Sequence, residues 1–249
     1  MNNSLRKYPF ILLSVGLALF PKPGIFAGEK EELDEILRFD SEQVQAIKNS
    51  ETADVRTAVD NLIKKYRTFI RKYPGNADAR NYLGGLYYDF GMAKEAYREW
   101  RTGLRFNPNN PYLHNSIAEY YGHDAGEPKK AVEAARKAVR LKPDEAVFHF
   151  NLATYYDVFR FTVLEEFKSL ESVFDECLKA YRKAVELDPA NFEYASVYAR
   201  TLTYSPRIWR IKDGYSASQK IKAWEYCLPL APDEQQKEFI EKEIKKLIL

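Results

Sequence analysis

Pro74, Pro108, Pro143, Pro189 and Pro232 each close a stretch of helical character, and the gaps between them are 34, 35, 46 and 43 residues. Proline lacks the N–H that a helix interior needs, and it pushes the residue before it towards extended backbone. Stops at this spacing imply a stack of short, similar units, each covering its neighbour, in place of one closed core. The tails before four of the stops are Phe69-Ile70-Arg71-Lys72-Tyr73, Leu104-Arg105-Phe106-Asn107, Val139-Arg140-Leu141-Lys142 and Val185-Glu186-Leu187-Asp188. Each reads as the last turn of an amphipathic helix. Asn109, Asn110 and Asp144 follow the stops and can cap the next helix.

Small residues recur where two helices must approach closely. The clearest unit, 77–110, carries Leu83-Gly84, Tyr87, Ala96, Trp100 and Pro108. This set resembles the tetratricopeptide repeat, with Arg80 where that family's first aromatic is expected. Residues 111–145 continue it through Ile117-Ala118, Tyr121, Ala131 and Pro143, with Ala135 in the late aromatic position. Residues 146–191 keep Leu152-Ala153, Tyr156, Cys177, Tyr181, Ala184 and Pro189. A weaker unit at 192–232 has Tyr198-Ala199, Leu202, Trp224 and Pro232, with Lys220 where Ala is usual. The resemblance covers roughly residues 43 to 249, because 43–76 reads as a degenerate first unit with a poor first helix. It implies an all-α fold, a right-handed superhelical stack of antiparallel helical hairpins. Residues 233–249, with Phe239, Ile240, Ile244, Leu247 and Ile248 at helical spacing, would form the capping helix. Residues 28–42 would form a separate helical segment.

The chain opens with Arg6-Lys7, an apolar run from Phe10 to Phe20, and a polar switch after Ala27. That order spells a secretory signal peptide over residues 1–27, with an apolar run too short for a comfortable membrane span of about 20 residues. The expected mature chain is exported, periplasmic or secreted. The formal charge is +2, and removing Arg6, Lys7 and Lys22 with the leader leaves −1. No basic face points to nucleic acid. Cys177 and Cys227 sit in an expected oxidising setting. Their offset along neighbouring helices, about 10 Å, exceeds what a disulfide spans, so two buried thiols are the favoured reading.

No nucleophile elbow, phosphate loop, His-Glu-x-x-His element or spaced Cys/His cluster occurs. The sequence therefore offers no catalytic, cofactor or metal set, and His114 and His149 read as packing residues. Glu165-Glu166 and Glu32 with Asp34 read as solvated carboxylates. What remains is surface. The resemblance puts the first helix of each hairpin on a concave face, which would show Asn81, Gly85, Tyr88, Asp89, Tyr112, Asn115, Glu119, His123, Phe150, Thr154, Asp157, Ser196, Arg200 and Tyr204. Rigid aromatics with amides and carboxylates suit an extended peptide. A carboxylate clamp is disfavoured, because Asn115, Glu119, Asn151 and Glu193 lack its basic members.

The two long units carry insertions at 159–167 and 205–213, expected to be neighbours along one edge. Phe161, Phe167, Arg207, Trp209 and Arg210 there form a second candidate, a docking patch for a protein or an envelope surface. The alternative is that the insertions pack on each other. The partner class is protein or peptide, through the groove or the edge. An accessory role in an envelope machine, with Tyr88, Tyr112 and Trp209 touching cell-wall or polysaccharide material, is the second reading.

Overall fold

The structure is a computed structural model that describes residues 27–48 and 55–249. The leader lies outside these residues, apart from the backbone of Ala27. The described residues form twelve α-helices: α1 (Ala27–Lys48), α2 (Val55–Lys72), α3 (Ala77–Asp89), α4 (Ala93–Phe106), α5 (Pro111–His123), α6 (Pro128–Leu141), α7 (Ala146–Val158), α8 (Arg160–Val163), α9 (Leu170–Leu187), α10 (Phe192–Trp209), α11 (Ala217–Cys227) and α12 (Glu234–Ile248). This is the tetratricopeptide-like, all-helical hairpin architecture. The chain divides into two compact units, residues 1–116 and 117–249.

The prolines act through the residue before them. Helices α2, α4, α6 and α9 end at Lys72, Phe106, Leu141 and Leu187, each two residues short of its proline. The intervening caps Asn107, Lys142 and Asp188 have φ of −133°, −146° and −133°. Each has left the helical region, as a pre-proline residue must, yet its N–H still reaches the last turn at Gly103, Ala138 or Ala184. Two residues past the proline, an asparagine starts the next helix. Asn76 Oδ1 accepts the Ala79 N–H at 2.7 Å. Asn110 Oδ1 accepts those of Tyr112 and Leu113 at 3.0 and 3.2 Å, and Asn191 Oδ1 that of Tyr194 at 3.2 Å. Asp144 does not cap α7 as expected. The N-cap position falls to Glu145, whose side chain makes no capping bond.

In the first unit, α1 runs unbroken through the boundary expected at residue 42. The first helix that looked poor in 43–76 is supplied by the residues before it. Tyr66 donates to Asp40 Oδ2 at 2.7 Å, Lys72 meets Glu32 at 2.5 Å, and Asn76 Nδ2 donates to Glu29 at 2.8 Å. Glu32 is thus an ion-pair partner and not a free carboxylate. The α3–α4 hairpin closes on Gly84. A Cβ there would lie 2.2 Å from Trp100 Nε1, so only glycine lets the indole sit flat on α3. The same indole donates its N–H to the Asn81 carbonyl at 3.2 Å.

In the second unit, α6, α7, α9 and α10 share a core that includes Val132, Leu152, Tyr156, Phe174, Leu178, Tyr181 and Trp209. A further core joins α10, α11 and α12 through Ala195, Ala199, Trp224, Cys227 and Ile240. The first insertion folds as α8 and a 3-10 turn at Leu164–Glu166. The second is mostly helix, because α10 continues through Pro206 to Trp209. It ends at Arg210, held left-handed at φ 57°, with the Ile211 N–H returning to the Pro206 carbonyl at 3.0 Å. That is a Schellman stop on a residue other than glycine. Cys177 and Cys227 are free, buried thiols, whose sulfurs donate to the Ala153 and Ala223 carbonyls.

Candidate functional site

Every groove residue read from the sequence lies on a first helix: α3, α5, α7 or α10. Position on the helix does not make each one available. In the first unit, Asn81 and Tyr88 are half-buried and Asp89 is exposed at the end of α3. The Asn81 side-chain oxygen already accepts the Ser116 hydroxyl at 3.0 Å. The Tyr88 ring packs 5.5 Å from Trp100. Crowding by the surrounding protein, with the charge of Asp40 added, pushes the Asp89 pKa up to about 7 even though one side of the residue meets solvent. Tyr112 and Asn115 are half-buried on α5.

In the second unit, Glu119 is half-buried and His123 exposed, its ring 6.4 Å from that of Tyr155. Phe150 is a packing residue, 5.5 Å from Tyr181 and 4.7 Å from Tyr194. Thr154 donates to the Phe150 carbonyl at 3.0 Å and contacts the Tyr181 hydroxyl at 3.2 Å. Ser196 returns to the Glu193 carbonyl at 3.1 Å. Tyr204 donates its hydroxyl to Glu243 of the capping helix. Asp157 accepts the Trp209 indole N–H at 3.0 Å. Burial raises its pKa, against the lowering by that bond and by Arg160. These polar groups serve the fold first. Asp89, His123, Arg200 and Tyr204 are the groove residues that are exposed on a first helix, and of these Tyr204 spends its hydroxyl on Glu243.

The edge candidate is reorganised. Trp209 is 3% exposed, so it belongs to the core and not to a docking patch. It lies edge-on to Phe174, with centroids 5.1 Å apart, and beneath the Arg160 guanidinium at 5.1 Å. Phe167 is half-buried, edge-on to Tyr156 and covered by Arg136. Phe161, Arg207 and Arg210 are exposed. The two insertions do meet, and Glu165 and Glu166 are engaged, pairing with Lys129 and Arg136 of α6. The charged turn is thereby held down on the unit's flank.

Three side chains in equivalent positions have a role the sequence did not disclose. Arg80, His114 and His149 each reach the carbonyl of the proline six residues earlier, Pro74, Pro108 and Pro143. For the histidines, at 2.8 and 2.9 Å, this requires the proton on Nε2. Pro189 has no such residue ahead of it, and its carbonyl takes the Tyr226 hydroxyl from α11 at 2.9 Å instead. An open cleft of about 560 Å³ between α1 and α2 was also not foreseen; Glu35, Arg38, Phe39, Lys65 and Thr68 line it. Among the described residues no cluster of His, Cys, Asp and Glu is grouped to hold a metal.

Residues 112–145 match the sequence profile of the tetratricopeptide repeat. Among curated protein sequences none matches the chain. Among solved structures, pilF of Pseudomonas aeruginosa is similar at a TM-score of 0.62 and 14% identity, over 89% of this chain and 86% of that one. TTC0263, a thermophilic TPR protein of Thermus thermophilus, is similar at 0.55 and 13%, over 88% and 98%. YrrB, a TPR protein with an unusual peptide-binding site, is similar at 0.50 and 16%, over 86% and 96%. At these identities the likeness is one of fold.

Proposed function

We propose that this chain is an exported, non-catalytic scaffold that binds a protein or peptide through the solvent face of its first helices. The observation that carries the reading is the repeat itself. Residues 112–145 match the tetratricopeptide profile, and the first helices leave Asp89 of α3 in the first unit, and His123 of α5 and Arg200 of α10 in the second, exposed to solvent. A helical hairpin stack offers surface where an enzyme offers an enclosed site. The peptide-binding site of YrrB is support by likeness of fold. Export rests on the leader pattern at residues 1–27. The envelope-machine reading, with sugar contacts from Tyr88, Tyr112 and Trp209, is weaker, since Trp209 is buried and the two tyrosines are half-buried.

The test is capture from the native host's envelope fraction, with mass spectrometry as readout. The wild-type chain is compared with Asp89→Asn, His123→Ala and Arg200→Ala, each checked for unchanged helicity. A protein captured by wild type and lost with any of these variants supports the scaffold. If the captured proteins are identical for all four baits, the first-helix face is not the binding surface.

A further inference from the structure

Three apolar side chains protrude from one edge of the second unit. They are Val158 at the end of α7, Phe161 in α8 and Ile208 near the end of α10, and they are 60, 67 and 65% exposed. The edge is stiff. Asp157, next to Val158, accepts the N–H of Trp209, next to Ile208, and Arg160 donates to the Asp157 carbonyl at 2.8 Å while covering both Trp209 and Phe161. Burying neighbours on both helices while leaving Val158 and Ile208 out is a consequence of helix phase: side chains one residue apart point about 100° away from each other.

The charges around these knobs lean positive. Arg207, Arg210 and Lys212 are exposed, and among the described residues none of the three makes an ion pair. The acids of the same region are engaged within the protein. Asp157 holds Trp209, Glu165 and Glu166 hold Lys129 and Arg136, and Asp213 holds Lys220. Glu171 is exposed and stays anionic beside these cations, its pKa drawn low by hydrogen bonds from its own backbone N–H, from Ser169 and from the Lys212 N–H.

We propose that this edge docks on an anionic lipid surface, with Val158, Phe161 and Ile208 entering the interface and Arg207, Arg210 and Lys212 meeting the headgroups. Apolar groups that project, instead of lining a recess, need a medium that deforms around them. A bilayer interface does so, and its negative headgroups sit where the cations stand. Arginine and lysine stems add apolar length below their charges, so they can follow the knobs into the boundary. An acidic protein segment would match the charge but must also bring three fitted recesses. The mode is attachment to a surface, and no helix among the described residues is long and apolar enough to cross one. The site goes beyond the protein-binding reading and does not depend on it.

A local probe tests this on the full chain. Cys177 and Cys227 are buried, so Val158→Cys takes an environment-sensitive dye at the edge. The dye reports this edge, not attachment by the apolar run at residues 10–20. With vesicles of phosphatidylcholine and phosphatidylglycerol its emission should shift to the blue, and with phosphatidylcholine alone it should not. Adding Arg207→Gln and Arg210→Asn, the latter suited to left-handed backbone, should weaken the response about fivefold per charge, about 25-fold together. Emission unmoved by the anionic vesicles, or a shift indifferent to the two substitutions, overturns the proposal. A shift with polyglutamate and none with vesicles also overturns it, and assigns the edge to an acidic protein segment.

Discussion

Trp100 and Trp209 are both buried indoles with a satisfied N–H, one in each unit, and they are seated by different means. Trp100 fills a repeat position. Its seat is the missing side chain of Gly84, and its partner is a backbone carbonyl. Trp209 lies in an insertion. Its seat is built by Phe174 and Arg160, and its partner is the Asp157 carboxylate. A contact made with backbone can recur in every hairpin, because every hairpin has that backbone. A contact made with three particular side chains occurs once, and it carries their charge chemistry with it.

The comparison breaks first on removal of the second indole. Trp209→Ala should cost about 3–5 kcal/mol of stability in urea unfolding, as large aromatic truncations in a core do. A loss below about 1 kcal/mol would mean that the insertions do not share the core. Gly84→Ala should cost about 1–3 kcal/mol by overpacking against Trp100. Its neighbour Gly85, with nothing within 4 Å of an added Cβ, should gain about 0.5–1 kcal/mol on the same change, since alanine orders a helix at less entropic cost. If the two glycines respond alike, the seat of Trp100 is not the close approach of α3 and α4.

The third prediction separates the two partners by pH. Burial raises the Asp157 pKa above its unfolded value near 4. A carboxyl with a raised folded pKa favours folding fully below the unfolded value, and that contribution is lost as pH rises through the folded one. Asp157→Asn keeps an acceptor for the indole and removes the titration. Its stability should therefore fall less than that of wild type as pH rises from about 4 to about 7. Asp89, raised to about 7 in the other unit, slopes the same way, so the readout is the difference between the two curves. Parallel curves would show that the Trp209 partner is not titrating. The smallest effect is expected at Lys129→Ala. It breaks an exposed pair with Glu165 and should change stability by less than about 1 kcal/mol.

Much of the hairpin fold was legible because its signals are local. Proline stops, asparagine caps and the Gly84 position act within one turn or one hairpin. Legibility failed where a unit borrowed from outside its own period. The first hairpin takes its first helix from α1, because Tyr66 and Lys72 find their partners 26 and 40 residues upstream. In the candidate groove, the repeat pattern put each residue on a first helix, but did not tell that Thr154, Asp157 and Tyr204 are committed to Tyr181, Trp209 and Glu243. The shared latch of Arg80, His114 and His149 had a signal, an equal spacing from each proline, but residue type hid it: a guanidinium and two imidazoles do the same work as N–H donors.

The sequence by itself determined where four of the helices stop before a proline and which glycine admits an indole, since those follow from backbone sterics within reach of one proline or one Cβ. Only the tertiary structure decided that Trp209 is core while Ile208 beside it faces solvent. The partner that makes the difference, Asp157, is 52 residues away. Burial of a particular side chain depends on what another element brings to it, and no local pattern carries that.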